Sequence, residues 1–168
     1  VAACRYPPRG IRGAAGGTRA ASYGVDTGYY DHADDNLIVI VQIETPQAVA
    51  NVAEIAAVDG VDVVFIGPRD MSAALGKLNK MDDPELRALI ARVEQATLAS
   101  GKALGTVAPT AALVKEHLQA LEKQTGVPHW RVIEWGRAPG DTSSEVSMTI
   151  LGLRMAHRLA AHFDREAD

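Results

Sequence analysis

Glu44 and Asp70 are carboxylates placed where chemistry can be done, each at the end of a very apolar run. The runs are Leu37-Ile-Val-Ile-Val-Gln-Ile-Glu44 and Val61-Asp-Val-Val-Phe-Ile-Gly-Pro-Arg-Asp70. Two carboxylates are costly to crowd together unless a cation lies between them. Hard oxygen ligands with open positions suit Mg²⁺ or Mn²⁺ rather than zinc. Gln42 lies two residues before Glu44, so both point to the same side of a strand. In the turn Gly67-Pro68-Arg69-Asp70, the glycine permits close backbone approach and the proline stiffens the chain. Exposed N–H groups in such a turn can bind a carboxylate. A competing reading makes Glu44 a salt bridge or helix cap at a strand end, and Asp70 the N-cap of a turn through Met71 and Ser72.

The elements that must position these residues follow from the same runs. Both read as strands buried on two faces, the signature of a parallel sheet. Residues 45–60 between them read as a crossover helix that opens at Pro46, with Val49, Val52, Ala53 and Ala56 as its apolar stripe. Parallel neighbours joined by one helix bring their C-terminal ends side by side, so Glu44 and Asp70 are expected at one sheet edge. In α/β barrels that edge carries the active site.

Further along, residues 67–82 read as a loop or short helical turn. A helix follows with Asp83 as N-cap and Pro84 at its first position. Leu86, Leu89, Ile90 and Val93 form its buried face, and Gly101 stops it. Residues 103–107 read as a strand, and Thr110 caps a helix that ends near Gly126. Residues 131–135 read as a fourth strand. A last helix opens at Ser143 or Ser144, with Met148, Leu151, Met155, Leu159 and Phe163 as its apolar face. Residues 1–36 have little regular pattern, and Tyr29 to Asn36 read as solvated. The alternation of four strands and four helices implies an α/β fold with parallel strands. Four strands are half of a (β/α)8 TIM barrel, which needs about 250 residues. The chain is therefore expected to be a single, partial barrel domain over residues 1–168, leaving sheet edges and an apolar interior to be covered.

Composition narrows the function classes. At 168 residues, 47% hydrophobic and 23% charged, the chain has the balance of a globular domain. A net charge of −4 argues against nucleic acid as a partner. The single Cys4 excludes an internal disulfide and a cysteine-rich zinc site. No uninterrupted apolar run of about 18 residues is present, so no membrane span is expected. Without a signal-peptide pattern, the expected location is the cytoplasm. The chain opens on Val1 rather than Met, which fits a start inside a longer polypeptide.

Three stretches, Arg5-Tyr-Pro-Pro-Arg-Gly-Ile-Arg-Gly13, Val41-Gln-Ile-Glu-Thr45 and Val64-Phe-Ile-Gly-Pro-Arg-Asp-Met-Ser72, resemble motifs of the HpcH/HpaI aldolase/citrate lyase family. They occur in the family's order and with its Glu-to-Asp spacing, and the resemblance covers roughly residues 1–125. It implies a phosphoenolpyruvate/pyruvate-binding barrel of which this chain is about the C-terminal half. It also implies a carbon–carbon lyase, a class II aldolase that makes or cleaves aldol bonds of 2-oxo acids through a pyruvate enolate. The cofactor would be a divalent metal (Mg²⁺ or Mn²⁺, with Co²⁺ a further option), held by Glu44 and Asp70. Gln42 matches a residue that contacts the bound 2-oxo acid. Gly67, Pro68, Arg69 and Asp70 match the substrate-binding turn, with the Arg69 and Asp70 N–H groups on the carboxylate. The partners implied are a small 2-oxo acid, an aldehyde, and further copies of the chain in a hexamer or trimer of dimers.

The sequence departs from the family in three places. The family has a small residue where this chain has Arg69. Its catalytic His and oxyanion-stabilising Arg lie upstream of Arg5, so no catalytic base is identified here. His32, His117, His129, His157 and His162 read as solvated or structural. Lys77, Lys80, Lys102, Lys115 and Lys123 read as loop or exposed helix residues, which gives no Schiff-base candidate. The stretch from Trp130 to Thr142 replaces a shorter last strand, with Asp141 reading as a helix cap and the tryptophans as core or interface. The enzymatic alternatives are a citrate-lyase-like acyl-CoA lyase and an oxaloacetate decarboxylase. The alternative from another class is an inactive remnant that binds metal or assembles with a full-length paralogue.

Overall fold

Strand-forming residues gather into one five-stranded sheet, ordered β1-β2-β3-β5-β4, in a computed structural model that describes residues 1–35, 37–108, 119, 131–134 and 147–151. The strands are β1 (Ile40–Ile43), β2 (Val63–Ile66), β3 (Ala103–Ala108), β4 (Arg131–Glu134) and β5 (Ser147–Leu151). The first three pair in parallel, with Gln42 opposite Phe65 and Phe65 opposite Gly105. The lead-in to this ladder is tied as well: the Val39 N–H donates to Asp62 Oδ2 at 2.8 Å, and Asp62 N–H donates to the Val39 carbonyl at 3.0 Å.

The crossover between β1 and β2 is two short helices, α2 (Pro46–Ala50) and α3 (Val52–Ala57), after the four-residue α1 (Tyr29–His32). Thr45 Oγ1 caps α2 by accepting from the Ala48 N–H at 3.2 Å. Asn51, at φ −100° and ψ 8°, breaks the expected single helix. β2 leads directly into α4 (Pro68–Ala74), where a loop or helical turn was expected. The longest helix among the described residues, α5 (Pro84–Ser100), has the ends its sequence announces. Asp83 accepts from the Glu85 and Leu86 N–H groups, and Gly101 closes it at φ +69°.

Pleating sorts the strand residues onto two faces. Ile43, Val64, Ile66 and Leu104 face the helices and pack with Val49, Val52, Ala56, Met71, Leu86 and Val93 in one buried core. Burying an aliphatic side chain of this size stabilises by about 1.5–3 kcal/mol. Gln42, Phe65 and Gly105 lie on the other face. A Cβ on Gly105 would stand 2.7 Å from Phe65 Cδ2, so the glycine gives the ring its place.

Two further expectations are corrected. Residues 147–151, assigned to the final helix, form β5, antiparallel to both β3 and β4. Met148 and Leu151 fit a helical face, but Met148 and Ile150 also alternate with Ser147 and Thr149, and so short a window fits either period. The open edge of β3 decides it, because its backbone groups need partners. The sheet is therefore mixed, although β4 runs in the same sense as β1–β3. The second correction concerns Tyr29 to Asp35, where Tyr30, Asp31, His32 and Asp35 are exposed as expected but Tyr29 and Asp34 are partly packed. Tyr29 and Tyr30 pack edge-on with Tyr6, at 6.2 and 5.0 Å between ring centroids. The Asp34 side chain is 7% exposed and ion-paired with Arg9 Nε at 3.0 Å and Arg5 Nη1 at 3.6 Å. Of the helix expected from Thr110, only Gln119 is described, and it is helical. His117, His129, Trp130, Trp135, Asp141 and the remainder of the last helix, with His157 and His162, lie outside the described residues.

Candidate active site

Glu44 directly follows β1 and Gly67 directly follows β2, so parallel pairing sets them together at the C-terminal edge of the sheet. The Gly67 N–H donates to the Ile43 carbonyl at 3.1 Å, which fastens the two chain exits to each other. A Cβ on Gly67 would lie 3.1 Å from both Cβ and Oε2 of Glu44, and 3.9 Å from Gln42 Nε2. The space that a side chain would fill is therefore bordered by the Glu44 carboxylate and the Gln42 amide. Gly67 has φ −98°, an angle open to any residue, so it is room and not backbone conformation that calls for glycine here.

Asp70 is in the first turn of α4, which opens on Gly67 with Pro68 at its first position. The N-cap is Gly67, so the capping role considered for Asp70 does not apply. Gly67 is buried, Glu44 and Pro68 are half-buried, and Gln42, Arg69 and Asp70 are exposed. Among the described residues, no lysine or arginine forms an ion pair with Glu44 or Asp70, so a salt bridge does not account for Glu44.

The turn is braced from behind. Ser72 is fully buried; its hydroxyl donates to the Arg69 carbonyl at 2.6 Å and accepts from the Asn79 N–H at 3.1 Å. Lys77 Nζ bridges Asp83 Oδ1 and Glu85 Oε2, each at 2.8 Å, and so ties this loop to the start of α5. The hydrogen bond to Asp83, then that to Glu85, raises the Lys77 pKa above the ordinary lysine value. The Lys77 hydrogen bond in turn lowers the Asp83 pKa. Sequence reasoning missed these supports, and also the Phe65–Gly105 pairing in the layer below Glu44. The signals available were the buried-type Ser72 after Asp70 and a glycine inside β3. His32 is largely exposed at the end of α1, 3.7 Å from Asp35.

Among the expected site residues, the Glu44 and Asp70 carboxylates and the Gln42 amide carbonyl could offer oxygen donors; Glu44 and Gln42 meet at Gly67, and Asp70 follows in the first turn of α4. Among the described residues no group of three or more His, Cys, Asp or Glu is gathered to hold an ion. The carboxylate and amide oxygens expected here are of the kind that suit a hard divalent cation.

A sequence model of the HpcH/HpaI aldolase/citrate lyase family matches residues 1–128. The chain belongs to this family. The hydroxypyruvate/pyruvate aldolase of Delftia acidovorans is 51% identical over 110 residues, which is 65% of this chain and 41% of that protein. The 5-keto-4-deoxy-D-glucarate aldolase of an Enterobacter species is 40% identical over 119 residues, covering 71% and 46%. A crystal structure of a family protein from Burkholderia cenocepacia superposes with a TM-score of 0.66 at 38% identity, covering 70% of this chain and 47% of that one. The chain thus spans under half the length of these relatives. The family's fold is the (β/α)8 barrel. The β1–β3 ladder with its helices is a sector of it, and Glu44 and Gly67 lie on the face where such barrels carry their active sites. No helix among the described residues is long and apolar enough to cross a membrane.

Proposed function

We propose that the protein is a divalent-metal-dependent carbon–carbon lyase that makes or cleaves aldol bonds next to a 2-oxo acid. The observation that carries this reading is the Glu44 carboxylate seated over Gly67 beside Gln42, with no cation from the described residues to neutralise it. Membership of the family and the aldolases among its relatives support it. Glu44 and Asp70 would hold Mg²⁺ or Mn²⁺, which when bound acts as a Lewis acid on the 2-oxo acid and favours its enolate. Gln42 presents its amide to the donor's oxygens. Gly67 leaves room for the donor against the sheet edge, Pro68 fixes the turn, and the Arg69 and Asp70 N–H groups meet the donor's carboxylate. In the cleavage direction, the bond between C3 and C4 of a 4-hydroxy-2-oxo acid breaks and its electron pair becomes the enolate. The hydroxyl proton leaves to a base, the aldehyde departs, and protonation at C3 gives the 2-oxo acid product. No base is assigned among the residues of this site; the family resemblance implies a histidine upstream of Arg5.

The test is Mn²⁺ titration of the full chain beside deuterium exchange into the pyruvate methyl group. Glu44→Ala and Asp70→Ala are each expected to abolish Mn²⁺ binding while the chain stays folded. Unchanged Mn²⁺ affinity in both variants would overturn the ligand assignment. Metal-dependent exchange that disappears in Glu44→Ala is the positive result for enolisation.

A further inference from the structure

We propose that Ser72 is a positioning residue for the 2-oxo acid: its buried hydroxyl fixes the peptide between Arg69 and Asp70, and so aims the Asp70 N–H at the donor's carboxylate. The inference rests on the metal-dependent lyase reading and deepens it. Its first support is a peptide plane. The Ser72 hydroxyl donates to the Arg69 carbonyl at 2.6 Å. That carbonyl and the Asp70 N–H belong to one planar peptide and point in opposite directions. A bond that holds the oxygen therefore holds the N–H as well. The same bond polarises the peptide, which makes the N–H a stronger donor.

The second support is the pattern of taken and free donors. Pro68 has no N–H, and the Met71 N–H is taken by the Gly67 carbonyl at 2.9 Å. Among the described residues, the Arg69 and Asp70 N–H groups between them have no backbone partner. Both residues are exposed, and the turn that carries them opens on Gly67, which borders Glu44 and Gln42.

The third support is the single proton of the hydroxyl. The Asn79 N–H donates to Ser72 Oγ at 3.1 Å, a bond in which the oxygen only accepts. The proton is left for the Arg69 carbonyl. Ser72 is fully buried, so water does not compete for it. A helical serine bonded three residues back is commonly a local feature and no more. Here the oxygen is also held from the loop beyond α4, by Asn79, and the carbonyl it reaches is the one whose peptide ends in the Asp70 N–H.

The experiment is calorimetric titration of pyruvate into the Mn²⁺-loaded full chain, for the parent, Ser72→Ala, Ser72→Thr and Thr97→Val. Thr97 is the matched control, fully buried, with its hydroxyl donating to the Val93 carbonyl at 2.7 Å within α5. Ser72→Ala and Thr97→Val each lose a buried hydroxyl bond, and both should unfold at lower temperature. Only Ser72→Ala should weaken pyruvate binding, by about tenfold, part of the worth of a hydrogen bond to a charged group. Ser72→Thr keeps the hydroxyl and should recover most of that loss. Parent-like pyruvate affinity in folded Ser72→Ala overturns the inference and leaves the lyase reading standing. An equal loss in Thr97→Val, or a loss in Ser72→Thr as large as in Ser72→Ala, does the same. Should Ser72→Ala fail to fold, Ser72→Cys carries the test, because it fills the site but offers only a weak donor. Weakened pyruvate binding there supports the inference, and parent-like affinity overturns it. Failure of the Mn²⁺-loaded parent to bind pyruvate overturns the lyase reading and the inference with it.

Discussion

Replacing Gly67 by alanine adds one methyl group at the point where β1 and β2 deliver the candidate site. The new Cβ would stand 3.1 Å from both Cβ and Oε2 of Glu44. Carbon atoms in ordinary contact sit about 3.5–4.0 Å apart, so Glu44 must withdraw by roughly half an ångström or rotate away. The backbone accepts alanine at φ −98°, so no conformational penalty is added. Overpacking at a buried site costs about 1–3 kcal/mol, and the lower end is expected because half-buried Glu44 can yield toward solvent. Metal binding should suffer more: changing the groups that orient a ligand typically lowers affinity about 10–100-fold. Thermal unfolding without metal, paired with Mn²⁺ titration, separates the two effects. Gly101→Ala is the control. It forces an L side chain to φ +69° with open space around it, so stability should drop while Mn²⁺ affinity holds. A folded Gly67→Ala chain that binds Mn²⁺ within twofold of the parent would refute the seating of Glu44 as a ligand position.

Two further predictions concern the supports. Gly105→Ala should destabilise by about 1–3 kcal/mol, because its Cβ would lie 2.7 Å from Phe65 Cδ2, and adding Phe65→Leu should recover part of the loss in denaturant unfolding. Asp83, with its lowered pKa, contributes stability that is present above about pH 4 and lost as pH falls through its depressed folded value. Lys77, with its raised pKa, contributes stability that is complete below about pH 10 and lost as pH rises through its elevated folded value. The gap in melting temperature between the parent and Lys77→Met should therefore be flat through neutral pH and close at both extremes. A gap that grows toward acid pH would contradict this ion pair.

What the sequence determined by itself was whatever is written locally. The helix from Pro84 to Ser100 was legible because its cap, first-turn proline and stop glycine all sit within the element. β1, β2 and β3 were legible as apolar runs of strand length, although the expected burial on both faces holds for β2 and not for β1, where Ile40 and Gln42 are exposed. Three family stretches in order were enough to raise the family that the match over residues 1–128 establishes. That Glu44 and the turn carrying Asp70 would leave neighbouring strands at one edge was also legible, since two parallel strands joined by one crossover have adjacent C-terminal ends; the contact of Glu44 and Gln42 with Gly67 was not. Other features depend on partners distant in the chain. Asp34 is held by Arg5 and Arg9, and Tyr29 and Tyr30 pack on Tyr6, so an acidic, polar-looking stretch is in part a packed one. Ser147–Leu151 could be a helix or a strand on its own pattern, and the open edge of β3 selects the strand. That Gly67 is glycine for room, and Gly105 is glycine for a ring one strand away, is visible only once side chains meet across β1, β2 and β3. Periodicity records which face a residue takes, but the atoms on the opposite side of a contact belong to another part of the chain, and only folding brings them there.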